Sequence, residues 1–179
     1  MRFLYPIALV LIVSSCIKEP ILPSATNTGA NTFGFKFNDT VFVPRVGFGS
    51  FYDDYWGPVF YDSTGIFSVG VRNRKDFGNR AVSMDLRVNN IYGIGQSTDF
   101  EFSDTFFEIY GIGESEVQSR YYYLDTLQFN WINIEALNPN PNQPLISGTF
   151  ELHFKDTINN LVMNVTDGRF DFGGQLTVK

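Results

Sequence analysis

Chemistry in this chain has to be built mainly from carboxylates and aromatic rings. The sequence holds one Cys, Cys16, and one His, His153, so no intramolecular disulfide and no His/Cys zinc set can be assembled. A Ser–His–acid triad would have to use His153. That residue lies in the alternating run Ser147-Gly148-Thr149-Phe150-Glu151-Leu152-His153-Phe154-Lys155, on the side of Thr149, Glu151 and Lys155. It reads as a solvated, outward strand residue rather than a base. Paired acids are the remaining catalytic route, since glycoside hydrolysis needs two carboxylates at a suitable separation. Asp53, Asp54, Glu101, Asp104, Glu108, Glu114 and Glu116 are the candidates. Spacing along a chain does not set separation across a fold, so no catalytic role is assigned.

Aromatics and acids crowd together from Gly47 to Asp62, where Gly47, Gly49, Gly57 and Pro58 interrupt any regular element. Rings stack on the apolar faces of sugars while carboxylates accept their hydroxyl hydrogens. Tyr52, Asp53, Asp54, Tyr55 and Trp56 are therefore candidate ligand contacts. Asp53 and Asp54 would alternatively help hold Ca²⁺, which favours oxygen ligands. A third reading makes the segment a long loop folded over an open barrel end, its aromatics plugging the core. No metal or other cofactor is expected. Gly93-Ile94-Gly95 and Gly111-Ile112-Gly113 read as strand-end turns, not phosphate loops, because no helix follows them.

The formal net charge is −6 over 179 residues, with no basic run. Such a surface repels phosphate backbones, so nucleic acid is not an expected partner. Met1-Arg2, the apolar run Phe3 to Val13 and then Ser14-Ser15-Cys16 form the n-region, h-region and small-residue layout of a secretory signal. The run is too short to span a bilayer, which takes about 20 apolar residues. Val13, Ser14, Ser15 and Cys16 look like a lipobox, where a diacylglycerol is attached to the thiol and the chain is cut before it. Residues 1–15 are thus expected as a lipoprotein signal peptide. Cys16 is the lipidation site, and 16–31, rich in Pro, Ser, Thr, Asn and Gly beyond residue 20, reads as a lipidated flexible tether. Two or more acyl chains give stable anchoring where one is marginal.

The elements that must position any site are strands. Residues 32–179 are expected as a single β domain, because aromatics make up 17% of the chain and period-2 alternation runs throughout. Phe33, Phe35 and Phe37 alternate with Gly34 and Lys36, Phe67, Val69 and Val71 with Ser68 and Gly70, and Val82 to Val88 repeats the pattern. Further strands are expected around 106–110, 120–125, 127–137, 145–155, 161–166 and 169–173. The apolar phase slips in 127–137, from Leu127, Phe129 and Trp131 to Ile132, Ile134 and Ala136, which suggests a β-bulge or burial on both faces. The Pro-rich stretch 138–144 reads as an exposed loop. A two-residue turn at Asn38-Asp39 would pair Phe35 with Phe42. A second at Asp167-Gly168 would pair Val165 with Phe170 and Met163 with Phe172, matching polarity throughout. Gly148 falls on the inward side, where it admits a facing aromatic. The fold class expected is all-β: an antiparallel β-sandwich or flattened up-and-down barrel of about nine or ten strands.

Ile146-Ser147-Gly148-Thr149-Phe150-Glu151 followed by Val165-Thr166-Asp167-Gly168-Arg169-Phe170-Asp171 resembles a Bacteroidota lipoprotein family of unknown function. The likeness covers roughly residues 32–173. The opening hairpin departs from that pattern, with Asp39 where Gly is usual and Phe42 where Trp is usual. The resemblance implies a lipid-anchored β domain and supplies no catalytic residues. Lys18-Glu19 behind the cysteine is similar to the surface-export tag of such lipoproteins, which in fuller form has a second acid where Pro20 stands. Asp167, Arg169 and Asp171 are read as turn and cross-strand residues rather than a binding site. The expectation is an uncharacterised outer-membrane lipoprotein, carried to the cell surface if the tag is read. It would be non-enzymatic and bind a glycan or an envelope protein. The alternatives are an envelope glycan hydrolase using paired carboxylates and a structural outer-membrane component.

Overall fold

A computed structural model of the chain describes residues 20–45, 57–74, 76–77, 80–111, 119–156 and 158–179. None of these is helical, and no described helix is long and apolar enough to cross a membrane. The strands are β1 (Thr32–Phe37), β2 (Thr40–Phe42), β3 (Val59–Tyr61), β4 (Ile66–Asn73), β5 (Arg80–Val88), β6 (Gly95–Ser97), β7 (Phe106–Gly111), β8 (Arg120–Leu124), β9 (Trp131–Asn138), β10 (Leu145–Lys155), β11 (Val162–Phe172) and β12 (Thr177–Val178). Hydrogen bonds order them β12-β3-β4-β5-β7-β8-β10-β11-β1-β2, with β9 and β6 branching from β10. All pairs are antiparallel except β12–β3. The extra strands beyond the nine or ten expected are the two- and three-residue ladders β3, β6 and β12, too short to show alternation.

The sheet stays open but folds over on itself, sandwich-like. Past β2, Arg45 makes one isolated bridge to Asn73 of β4. Between the facing halves lies a phenylalanine core. Phe35 stacks on Phe42 at 4.5 Å and meets Phe107 of β7 at 6.1 Å, while Phe67 of β4 stacks on Phe170 of β11 at 5.3 Å. Each buried Phe contributes about 1.5–3 kcal/mol by leaving water, and offset or edge-on ring pairs add to that. Alternation does the rest: one face of each strand feeds this core and the other is left outside.

The opening hairpin forms as its turn residues predict. Asn38 and Asp39 take φ of 43° and 66°, and Phe35 pairs with Phe42, the all-left-handed turn that suits a two-residue hairpin. At Asp167-Gly168 the expectation fails. No hairpin forms there, and 161–166 and 169–173 are not separate strands. β11 runs straight through with a bulge. Phe150 pairs with Gly168 but Leu152 with Val165, and Gly34 pairs with Arg169 but Lys36 with Thr166, so β11 carries one extra residue against both neighbours. An inserted residue reverses side-chain parity just as a two-residue turn does. Met163, Val165, Phe170 and Phe172 are therefore all buried, as expected, but for a different reason. The reversal between β10 and β11 comes earlier, at 156–161, where Asp156 N–H donates to the Leu161 carbonyl.

The 127–137 stretch is also shorter as a strand than its apolar content suggests. Residues 126–130 form a turn with Leu127 and Phe129 exposed, and the ladder begins at Trp131. The bulge sits farther on, where Ser147 pairs with Ala136 but Gly148 with Ile134. Gly148 does face an aromatic: a Cβ there would stand 3.0 Å from Phe170 Cζ, and only 2.1 Å from the Asn133 carbonyl oxygen.

Candidate functional site

The interior is filled by phenylalanines, so chemistry has to be sought on the outer face. Residues 20–31, read from composition as flexible tether, occupy part of that face as a docked strap. Asp171 organises it. Its carboxylate accepts from Thr26 Oγ1 (2.6 Å), from the N–H groups of Thr28 (3.0 Å), Gly29 (2.7 Å) and Ala30 (3.2 Å), and from Thr28 Oγ1. Burial pushes this carboxyl up, but the Thr26 hydroxyl and the three backbone N–H groups outweigh it and hold it below the usual range. Ser147 donates to Asn27 Oδ1 at 2.7 Å, and Arg169 Nη1 to the Pro23 carbonyl at 3.0 Å. Gly34 leaves room for Pro23 and Leu22, whose side-chain atoms would lie 2.7 and 3.2 Å from a Cβ. Asp171 is thus a cross-strand residue, opposite Thr32 and Ser147, whose carboxylate is covered by the strap. The motif Asp167, Arg169, Asp171 is structural: Lys36 Nζ meets Asp167 at 2.8 Å, and the other two hold the strap.

On the opposite half, strand register assembles a second outer surface. One cross-strand row places Gly70, Asp85, Phe106, Tyr123, Lys155 and Val162 side by side. The next row is Arg72, Ser83, Glu108 and Tyr121. Their chain neighbours Met84, Leu86, Phe107 and Tyr122 are buried, which turns these rows outward. Ser83 donates to Glu108 Oε2 at 3.3 Å. The Tyr121 phenol is pushed up by its hydrogen bond to the Glu108 carboxylate. Tyr121 stacks on Tyr123 at 6.5 Å and meets Phe106 edge-on at 5.9 Å. The Arg72 guanidinium lies 5.6 Å from the Tyr110 ring.

Asp85 sits at the centre. Burial pushes its carboxyl up to about 6, with Arg72 opposing and the charges of Glu108 and Asp104 reinforcing. The surface therefore offers a ring platform, two acids and a guanidinium. Such a set can stack on an apolar ligand face and hydrogen-bond its polar edge. Nothing in it forms a metal centre, and among the described residues no group of three or more His, Cys, Asp or Glu could hold an ion.

The structure thus brings Glu108 and Asp104 of the paired-acid candidates around Asp85. Asp104 also pairs with Arg87 at 2.9 Å, whereas the Glu101 carboxylate accepts from Ser103 at 3.2 Å. Glu114, Glu116, the ligand-contact candidates Tyr52, Asp53, Asp54, Tyr55 and Trp56, and the lipobox Val13, Ser14, Ser15 and Cys16 lie outside the described residues. His153 points outward as expected but is half-buried rather than solvated, because the 125–130 turn folds beside it. Asp125 N–H donates to the His153 carbonyl and His153 N–H to Asn130 Oδ1, each at 2.7 Å. Its ring Nδ1 is buried with no hydrogen-bond partner among the described residues. Asp85 was not singled out by sequence reasoning. An acid at an outward position of an alternating strand looks solvated until register sets Phe106 and Glu108 beside it. Shallow cavities of about 230 Å³ also flank residues 90–94 and β6, one between Tyr92 and Pro139, the other against Ile134. No family model, curated protein or solved structure matches this chain.

Proposed function

We propose that this protein is an outer-membrane lipoprotein, anchored through Cys16, whose β domain is a non-enzymatic module binding a glycan on the outer face of β5, β7 and β8. The anchoring half rests on the lipobox-like leader and the family resemblance. The binding half rests on one observation: Tyr121 and Tyr123, stacked and 44% and 46% exposed, share an open face with Glu108, the ladder partner of Tyr121, and with Asp85, one strand further on in the row of Tyr123. Large aromatics left half in water next to hydrogen-bonding acids suit a sugar ring, which presents CH groups on one side and hydroxyls at its rim. Titration of the purified protein against a glycan panel by calorimetry tests this. Binding of at least one glycan is expected, weakened tenfold or more by Tyr121→Ala or Tyr123→Ala, with the melting temperature nearly unchanged. A panel that binds nowhere, or binds the variants equally, overturns the assignment.

One observation favours hydrolysis as the second reading. A carboxyl near 6 beside another acid is the condition under which a group donates a proton at neutral pH. Glycan turnover that persists through purification and vanishes in Asp85→Asn would replace binding with catalysis.

A further inference from the structure

We infer that the β5–β6 connection carries a second ligand site, which takes a short, linear, non-acidic glycan laid across Gly93 with a sugar ring in the hollow on either side. This site is separate from the face that bears Tyr121 and Tyr123. Asp85 stands in the middle of β5, whereas the connection begins past the last residue of that strand, Val88.

The chain leaves β5 and crosses to β6, which pairs with β9. The crossing stretch is pinned along its length. Asn89 N–H donates to the Asp99 carbonyl at 2.8 Å, Ile91 N–H to the Gly65 carbonyl at 2.7 Å, and Tyr92 Oη to the Thr64 carbonyl at 3.2 Å. The Ile91 side chain is buried, and a Cβ at Gly65 would stand 2.9 Å from the Ile91 carbonyl oxygen. Glycine is what lets the 62–65 turn close against the crossing. Backbone held this way is already ordered, so a ligand loses little affinity to fixing it.

The crossing divides this end of the sandwich into two hollows of about 230 Å³ each, both lined by residues 91–94. Pockets for drug-sized ligands run to about 300–1,000 Å³, so each hollow suits a single ring. One has an apolar floor of Phe60 from β3, Ile91 and Leu137 from β9, with Asp62 as its carboxylate. The other sets Asn90, Gln96 and Ser97 against Ile134. Each thus combines an apolar wall with hydrogen-bonding side chains, matching the CH face and hydroxyl rim of a sugar. Tyr92 and Ile94 line both hollows and are 70% and 73% exposed. Between these two side chains, a Cβ at Gly93 would meet nothing within 4 Å, which leaves the saddle clear for a linkage. No described Lys or Arg lines either hollow, while Asp62 adds a negative charge in a chain of net charge −6. An acidic sugar would be repelled and find no cation to pair with.

Nitrogen-15-labelled full-length protein in dodecylphosphocholine micelles, titrated with cellobiose, maltose and N,N′-diacetylchitobiose, tests the site by amide chemical shifts. At least one of these disaccharides should move the Gly93, Ile94 and Gly95 resonances, and its monosaccharide should bind about tenfold more weakly. Gly93→Val places a side chain in the open saddle without striking a neighbour. It should weaken binding about tenfold with the melting temperature nearly unchanged, and Tyr92→Ala should weaken it as well. Tyr121→Ala should leave these shifts as they are, so either glycan surface can fail without the other. Silence of residues 93–95 toward all three disaccharides overturns the inference. Equal binding by Gly93→Val, by the monosaccharide or by digalacturonic acid overturns it too.

Discussion

Asp85 and Asp171 both point outward from regular strands, yet their carboxyls are driven in opposite directions. Around Asp171 the strap supplies N–H and O–H donors, which favour the ion. Around Asp85 there are rings and other acids, which favour the neutral form. The sign of the pH dependence follows for Asp85. Its folded value, about 6, lies above the ordinary 3.8 of an aspartate, so its stabilising contribution is complete below 3.8 and is lost as pH rises through 6. Asp85→Asn should therefore raise stability at pH 7.5 by about 1 kcal/mol, less than the full linkage value because the group is partly solvated, and by nearly nothing at pH 4. Urea melts at the two pH values measure the difference. An equal effect at both would show that charge is not what the substitution relieves.

At the scale of elements, β11 is the organising strand, and its bulge decides whether both halves face the core. Asp167 adopts a φ of 52°, and Gly168 lets the Phe150 ring lie against the backbone. A Cβ at 168 would fall 2.5 Å from two Phe150 ring carbons and 2.6 Å from the Phe150 carbonyl oxygen. Gly168→Ala should cost about 1–3 kcal/mol by overpacking, read as a lowered denaturation midpoint with an unchanged slope. Tolerance of alanine would mean that Phe150 moves aside freely, which its central place in the ring cluster argues against.

For the molecule as a whole, the strap ties residues 20–31 to the folded domain. Removing the Asp171 carboxylate leaves the Thr28, Gly29 and Ala30 N–H groups without their acceptor. Asp171→Ala should destabilise the protein by about 2–3 kcal/mol, the scale for losing hydrogen bonds to a charged group. It should also open 20–31 to protease cleavage ahead of the rest. Because this carboxyl is held below 3.8, the wild-type contribution is intact above that value and disappears as pH falls through the lowered one. Wild-type and variant should therefore converge in cleavage rate to an acid-stable protease once the pH is low enough to protonate Asp171 in the folded protein.

Local patterning by itself determined the all-β class, the inward faces of the strands, the Asn38-Asp39 hairpin and the small-residue need at Gly148. Each of these depends on side-chain parity or turn conformation within a few residues. The same parity argument could not tell a hairpin from a bulge at Asp167-Gly168, since both reverse the phase. Only the presence of β1 and β10 running unbroken on either side decides it. Composition likewise made 20–31 look unstructured, because no apolar pattern marks a segment held by one distant carboxylate, 141 to 145 residues away in sequence. The surface around Asp85 follows the same logic. Arg72, Asp85, Glu108 and Tyr121 come from four strands, and hydrogen-bond register, a long-range property, is what sets them in adjoining rows.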